Sequence, residues 1–252
     1  MPRILKLVIS YDGTRFAGWQ RQPRAEGAAE SIQGLLEEAI ARFEGAAVTV
    51  HGAGRTDAGV HALGQVASVQ LTCSHPADAL GRGLNASLPP EIRVTAVEDV
   101  APDFHARFSA RSKTYRYMIR NAPIVSPFEH AYVWHVPEPI DLDAMQQAAA
   151  ALLGPHDFSA FASAGSEPRD RTRTIMRSVV ECRDGNGLVC YEVTGTGFLR
   201  HMVRAIVGTL VEIGRGWRPA SSMASLAAGG ERSDAGATAP PHGLFLVAVD
   251  YD

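Results

Sequence analysis

Cysteine is scarce in this chain of 252 residues, which contains only Cys73, Cys182 and Cys190. Three thiols are too few for a disulfide framework and none form a CxxC pair, so we expect reduced thiols in a cytoplasmic protein.

Long apolar runs are also missing. The run at residues 4–9 is interrupted by Lys6 and is too short for a signal peptide, and no stretch of about 18 uncharged apolar residues is present to span a membrane.

Positive charge is not in excess, because 24 basic and 27 acidic residues leave a formal net charge of −3. This balance excludes a protein that coats nucleic acid through bulk charge. The cations are nevertheless grouped, since residues 14–24 and 104–121 contain no carboxylate. These two runs contain Arg15, Arg21, Arg24, Arg107, Arg111, Lys113, Arg116 and Arg120. Such grouping predicts a positive surface on a weakly acidic protein, and the alternative is that each run is only a solvated strand or loop.

Hydrophobic periodicity predicts alternating strands and helices in both halves of the chain. Strands are expected at residues 3–10, 46–51, 65–71, 92–100, 108–119, 174–182, 188–194 and 244–250. Helices are expected after Ser31, Pro76 and Asp141 and at residues 198–214. The segment 184–187 predicts a hairpin turn, and residues 224–241, rich in Ala, Gly and Pro, predict a mobile loop.

These elements predict an α+β fold. The chain is expected to form two similar halves, an N-terminal subdomain at residues 1–104 and a C-terminal subdomain at residues 105–252. Each half is expected to be a mainly antiparallel sheet with helices on one face, with an active-site cleft between the halves.

The densest group of chemically useful residues is the decapeptide Gly52-Ala53-Gly54-Arg55-Thr56-Asp57-Ala58-Gly59-Val60-His61. It follows one predicted strand and precedes another, and its three glycines permit backbone geometry that other residues resist. A phosphate-binding loop is one alternative, but neither the GxxxxGK[ST] nor the GxGxxG pattern is present. A merely structural tight turn is the other alternative.

This decapeptide resembles the signature of the tRNA pseudouridine synthase A family, and further motifs along the whole chain resemble the same family. They are residues 11–14 and 16–20, Ser31-Ile32-Gln33, Phe104-His105-Ala106-Arg107-Phe108, Lys113-Thr114-Tyr115-Arg116-Tyr117, residues 198–204, residues 238–240 and residues 243–246. The resemblance implies an isomerase that converts uridine to pseudouridine at positions 38, 39 and 40 in the anticodon stem-loop of tRNA. It also implies a homodimer that needs neither a metal nor an organic cofactor.

The resemblance assigns the catalytic role to Asp57, the only carboxylate in the decapeptide. Its carboxylate could attack the sugar C1′, add to the uracil ring or take the sugar 2′ proton, and the sequence does not choose among these steps. The first two steps require an ionised group, and a nearby guanidinium would keep a carboxyl with an ordinary pKa of about 3.9 charged in a dry cleft.

Four other residues are candidates for substrate binding. The resemblance makes Arg204 the partner of the aspartate, and an unpaired charge beside Val203 on the apolar stripe of its helix would be costly. The resemblance also makes Tyr115 the ring that stacks on the target uracil. Core packing is the alternative, since Tyr115 lies on the same strand face as Tyr117 and Ile119, but the cations around it in the sequence, Arg111, Lys113 and Arg116, favour the functional role. Arg55 is expected to hold the place that the flipped base leaves, to bind a phosphate, or to form a structural ion pair. Leu244 is expected either to wall the pocket or to pack in the core.

The cations expected to contact RNA are Arg21, Arg107, Arg111, Lys113 and Arg116, because RNA helices are recognised mainly through phosphates, 2′-hydroxyls and shape. Three other interpretations of the residues are possible. A zinc site built from His51, His61, Cys73 and His75 fits no closed motif. A serine hydrolase would need GxSxG, which is missing. A non-catalytic RNA-binding protein on the same scaffold would tend to lose Asp57, Tyr115 or Arg204.

Overall fold

The computed structural model describes residues 2–22, 29–163, 170–183 and 185–252, so Arg24 and Asp184 lie outside the described residues. The strands are β1 (Arg3–Tyr11), β2 (Val50–Gly52), β3 (His61–Leu71), β4 (Ile92–Val100), β5 (Ser112–Arg120), β6 (Trp134–His135), β7 (Gly154–Asp157), β8 (Thr172–Cys182), β9 (Leu188–Gly195) and β10 (Leu244–Asp250). The helices are α1 (Ile32–Glu44), α2 (Ala77–Ser87), α3 (Leu142–Ala150), α4 (Met202–Gly214) and α5 (Ser222–Ala227). None of these described helices is long and apolar enough to cross a membrane.

The chain divides into two compact units. The first unit comprises Met1–Arg111 together with Phe245–Asp252, and the second comprises Ser112–Leu244. The C-terminal strand belongs with the first unit because Phe245 and Leu246 of β10 pair in parallel register with His61 and Ala62 of β3. The paired residues lie 184 positions apart in the sequence. A single domain boundary drawn along the sequence therefore cannot place β10 in the first unit.

The first unit follows the predicted order of strand, helix, strand, strand, helix and strand. Strand β1 pairs antiparallel with both β3 and β4, and β2 pairs antiparallel with β3. The Ser31 side chain accepts a hydrogen bond from the Gly34 amide and so begins α1 at the expected residue. The second strand is shorter than expected and begins only at Val50.

The second unit contains the antiparallel ladder β5–β9–β8–β7, with β6 parallel to β5. The short strands β6 and β7 are additions to the predicted order. Both units therefore combine helices with a mainly antiparallel sheet, and the α+β class predicted from the sequence is confirmed.

Further expected elements differ from the structure. Strand β5 begins at Ser112 rather than at residue 108, and α4 begins at Met202 rather than at residue 198. Helix α4 is preceded by His201, whose positive φ of 63° is incompatible with a helix continuing through it. The segment at residues 224–241, expected as a mobile loop, begins with the end of α5 and buries Ala235 and Ala239. Its Gly236 amide also donates to the Thr209 hydroxyl.

Candidate active-site residues

The loop between β2 and β3 carries Arg55, Thr56 and Asp57 in the first unit. Backbone hydrogen bonds hold it at three points: the Ala53 amide donates to the Val66 carbonyl at 2.7 Å, the Trp19 amide to the Thr56 carbonyl at 3.0 Å, and the Val60 amide to the Asp57 carbonyl at 3.1 Å. The loop is therefore fixed to β3 and to the segment that follows β1.

Gly59 and Gly18 are among the positions around this loop that require glycine. Gly59 has a φ of 78°, in the left-handed region that disfavours other residues, so the predicted need for special backbone geometry holds at this position. Gly18 has a φ of 94°, and a Cβ there would lie 2.6 Å from the Thr56 carbonyl oxygen. The backbone of residue 18 can therefore approach the loop only because it carries no side chain.

A buried polar network supports the loop from beneath. The hydroxyl groups of Thr56 and Tyr11 are 2.8 Å apart, and Gln65 donates to the Gly54 carbonyl at 2.9 Å. Burial raises the pKa of Tyr11 to about 12, so this phenol stays neutral and acts as a hydrogen-bonding group. Sequence reasoning missed this network. The available signal was the tyrosine at the end of an apolar strand. A buried phenol usually has a polar partner, so a hydrogen bond from Tyr11 to another polar group could have been predicted.

The three polar residues of the loop differ in exposure. Thr56 is buried, Asp57 is half-buried and Arg55 is exposed. The loop thus turns its hydroxyl toward the interior of the first unit and leaves the Asp57 side chain partly accessible and the Arg55 side chain exposed. A partly accessible carboxylate on a rigid loop is a geometry suited to a catalytic group.

His61, the last residue of the decapeptide, makes contacts typical of a residue with a structural role. The His61 ring is buried, stacks on Phe245 with ring centroids 4.7 Å apart, and accepts a hydrogen bond from the Gly13 amide through Nδ1. The described part of the chain contains no group of three or more His, Cys, Asp or Glu side chains placed to hold a metal ion.

Tyr115 lies on β5 in the second unit, opposite Val193 of β9. Its side chain is only 7% exposed, and its ring meets Phe198 edge to face with centroids 5.0 Å apart. Tyr117 and Ile119 lie on the same face of β5 as Tyr115 and are fully buried. Tyr115 is therefore the most accessible of the three side chains, and Phe198 fixes the orientation of its ring.

Arg204 occupies the first turn of α4 and is half-buried. Its Nε donates to the Ala239 carbonyl at 2.8 Å, and the Ala239 amide donates to the Arg204 carbonyl at 3.1 Å. The next carbonyl, that of Pro240, accepts from the Tyr117 hydroxyl at 2.8 Å. The segment before β10 therefore holds the guanidinium stem in place. Leu244, at the start of β10, is buried with 5% exposure.

The positive charge of Arg204 acts on two neighbouring groups. Burial raises the pKa of Tyr117, and the guanidinium opposes that rise. Burial lowers the pKa of His242, and the same guanidinium lowers it further. Arg204 is therefore not an isolated surface arginine, because its charge acts on the buried Tyr117 and the half-buried His242.

The predicted RNA-contacting cations have different surroundings. Arg21 is exposed and pairs with Glu37 at 3.2 Å, and Lys113 is buried at 9% exposure. Arg116 pairs with Glu192 at 3.0 Å. Arg120, from the same run, pairs with Glu129 at 2.6 Å. The absence of carboxylates along residues 104–121 therefore does not leave all of these cations unpaired, because acids from distant segments approach them.

Arg107 and Arg111 are both exposed. Arg107 belongs to a tight turn in which Nδ1 of His105 accepts hydrogen bonds from the Arg107 amide at 3.1 Å and from the Phe108 amide at 3.4 Å. Burial lowers the pKa of His105, and the positive charges of His51 and Arg107 act in the same direction. The neutral ring is the form that can accept these bonds, because a protonated imidazole has no free lone pair.

The lowered pKa of His105 predicts a specific dependence of stability on pH. Since the pKa is lower in the folded protein than in the unfolded chain, the stabilisation is complete above about pH 6.5 and is lost as the pH falls through the folded value. We expect the free energy of unfolding to decrease more between pH 7.5 and pH 5 in the native chain than in the variant His105→Asn. The asparagine oxygen can still accept the turn amides but does not titrate. Denaturant unfolding at both pH values measures the difference, and equal decreases would contradict the assignment.

Comparison with known proteins identifies the family of this chain. The sequence model of the family described as tRNA pseudouridine synthase matches residues 7–109 and 148–252, which is well over half of the chain. A tRNA pseudouridine synthase A from Myxococcus xanthus is 49% identical over 251 residues, which is 100% of this chain and 92% of the relative.

Two further relatives with the same name extend over comparable lengths. The protein from Solibacter usitatus is 47% identical over 99% of this chain and 100% of the relative. The protein from Syntrophotalea carbinolica is 44% identical over 98% of this chain and 96% of the relative. The chain therefore belongs to the tRNA pseudouridine synthases, enzymes that isomerise uridine within tRNA.

Proposed function

We propose that this enzyme converts uridine to pseudouridine at positions 38, 39 and 40 of the anticodon stem-loop of tRNA, with Asp57 as its catalytic residue. It works in the cytoplasm as a homodimer and requires neither a metal nor an organic cofactor. The observation that carries the proposal is the partly accessible carboxylate of Asp57 on a loop held by three backbone hydrogen bonds. Family membership supports the reaction class.

The reaction sets the requirements for the site. The N–C glycosidic bond to uracil breaks, the base turns, and a C–C bond forms to the same sugar, so the reaction is redox-neutral. A carboxylate close to the sugar and the ring is needed to start the exchange, and a base is needed to take the proton from C5. Asp57 supplies the carboxylate, by attack on C1′, by addition to the ring or by removal of the 2′ proton.

The remaining roles are assigned to residues that the structure describes within each unit. Tyr115 stacks on the uracil and is a candidate to accept the C5 proton, and the edge-to-face contact with Phe198 supports a fixed ring orientation. Arg55 is exposed and is free to reach the space of the flipped base or a phosphate. The role of Arg204 as the guanidinium partner of the aspartate stays a prediction from the family resemblance. For Leu244, a pocket wall stays a prediction beside the alternative of core packing.

Flipping the target base out of the stem is part of the proposal. A uridine within a helix is inaccessible, and extruding it costs a few kcal/mol of stacking and pairing. Contacts from cations to the RNA backbone can offset this cost and do not depend on one sequence. This accounts for action at three neighbouring positions.

The test uses an unmodified tRNA transcript labelled with tritium at C5 of uridine, with uridine at positions 38, 39 and 40. We expect release of tritium to water while the base stays attached to the RNA, and we expect mapping of the product to place pseudouridine at those positions. A transcript with cytidine at all three positions is the control and should release none. Free uracil would indicate a hydrolase, and tight binding without release would indicate an RNA-binding protein. Sedimentation velocity of the same preparation tests the dimer.

A further inference from the structure

Three aromatic rings form a short stack on the first unit. His51 of β2 faces His105 with ring centroids 4.9 Å apart, and His105 faces Phe108 with centroids 4.4 Å apart. The ring planes are inclined by only 34° and 35°. Phe108 lies at one end of the stack and is 76% exposed, which leaves most of its side chain available to another flat ring.

The backbone around this stack is held rigidly. The Ala106 amide donates to the Ser68 hydroxyl at 3.1 Å, and the Ala106 carbonyl accepts from the Tyr251 hydroxyl at 2.8 Å. The Ser109 amide donates to the His105 carbonyl at 2.9 Å. Together with the two amides that His105 accepts, these bonds fix the position from which Phe108 projects. A preformed aromatic surface binds a ligand at a lower entropic cost than a mobile one.

Positive charge accompanies the exposed ring. The Arg107 guanidinium lies 5.6 Å from the centroid of the Phe108 ring. Arg111 is exposed nearby in the chain, and its amide is anchored to the Asp250 carbonyl. Among the ion pairs within the described ranges, neither Arg107 nor Arg111 takes part, whereas Arg116 and Arg120 each have a carboxylate partner. The stack therefore combines an exposed aromatic ring with one cation close to it, Arg107, that no acid in the described chain neutralises.

We infer that Phe108 is a stacking platform for an unpaired nucleobase of the RNA substrate, with Arg107 contacting an adjacent phosphate. An aromatic face beside a guanidinium matches the two chemical parts of a nucleotide, the flat base and the anionic phosphate. An apolar protein surface would leave Arg107 without a partner. This inference rests on the proposed action on tRNA and adds a contact site for bases outside the reacting uridine.

The platform is tested by measuring the Kd for an unmodified tRNA transcript at a fixed salt concentration. We expect Phe108→Ala to raise the Kd by about 5-fold to 150-fold, which corresponds to the loss of one stacked base. Phe108→Leu should weaken binding similarly, because leucine keeps apolar volume without an aromatic face, and Phe108→Tyr should stay within about 3-fold of the native chain. Phe108→Ala should fold normally, since its side chain is largely exposed.

A matched control is Phe128→Ala in the second unit, which removes another exposed phenylalanine (91% exposed) and should leave the Kd unchanged. Arg107→Gln should lower the slope of log Kd against log salt by about 1, as expected for the loss of one phosphate contact.

The outcomes distinguish the platform from the proposed reaction. If the native chain releases tritium from tRNA but Phe108→Ala binds it with unchanged Kd, the platform is wrong and the reaction stands. If Phe108→Ala weakens binding while the native chain releases no tritium, the platform stands and the reaction is wrong. A loss of affinity that occurs only together with dissociation of a dimer in sedimentation would overturn the platform, because Phe108 would then contact a second copy of the chain.

Discussion

Replacing Asp57 with asparagine is expected to reduce tritium release from tRNA by at least about 1000-fold. Asparagine has nearly the same shape as aspartate, so the loop and its backbone bonds should persist, but the amide cannot act as the anionic nucleophile or base. Losing such a group costs about 100-fold to 10,000-fold for proton transfer alone, and more where a covalent step is also lost. Single-turnover release from a saturating excess of enzyme isolates the chemical step.

The control for Asp57→Asn removes one carboxylate elsewhere in the same unit. Glu38 is exposed on α1, so Glu38→Gln changes the net charge by the same amount without touching the loop. We expect this variant to keep the native rate. The Kd of Asp57→Asn for tRNA should also stay within about 3-fold of the native value. If Asp57→Asn kept more than a tenth of the native rate, a different residue would have to supply the carboxylate chemistry.

Replacing Gly208 with alanine is expected to destabilise the chain by about 3 kcal/mol or more. Helix propensity alone predicts the opposite sign, because alanine stabilises a helix interior by about 1 kcal/mol relative to glycine. A Cβ at residue 208 would overlap the carbonyl oxygen of Ala237 and lie 2.8 Å from its carbonyl carbon. The obstacle is backbone, so α4 or the segment before β10 would have to move, and overpacking of this kind commonly costs 1–3 kcal/mol or more. Denaturant unfolding measures the change.

Gly81→Ala in α2 is the matched control, because it makes the same change inside another helix. A Cβ there would meet only a methyl group of Val97, at 3.2 Å. We expect the free energy of unfolding to change by less than about 1 kcal/mol in either direction. If Gly208→Ala proved as stable as the native chain, the close approach of residues 237–239 to α4 would be refuted. That approach positions Arg204, since its guanidinium and its backbone both bond to Ala239.

Strand periodicity and helix caps predicted the elements well where these short-range features determine the structure. Residues 92–100 and 244–250 were expected as strands and are strands with the same bounds. Ser31 and Asp141 were expected to begin helices and do so, because a side-chain cap acts over three residues. Where a single backbone conformation overrides periodicity, prediction failed. The apolar stripe continues back to Leu199, but the left-handed conformation of His201 delays α4 to Met202.

The candidate site was only partly predictable. Because motif resemblance follows short strings of residues, it singled out the loop of Arg55 and Asp57, Tyr115 and Arg204. It did not indicate that Tyr11 supports Thr56 or that Ala239 holds Arg204, since these contacts join residues 45 and 35 positions apart. Distance along the sequence also explains why the pairing of the cations at residues 104–121 was not predicted. Arg116 lies 76 positions from Glu192, the carboxylate that neutralises it.

The sequence by itself determined the family, the α+β class and the identity of the proposed catalytic carboxylate, because each depends on short-range patterns of residue type. Only the tertiary structure decided which arginines keep their charge free for a ligand, which hydroxyl lies beneath the loop that carries Asp57, and that β10 completes the first unit. These features are set by pairing between distant segments, and pairing depends on the shape of the folded chain rather than on neighbouring residues.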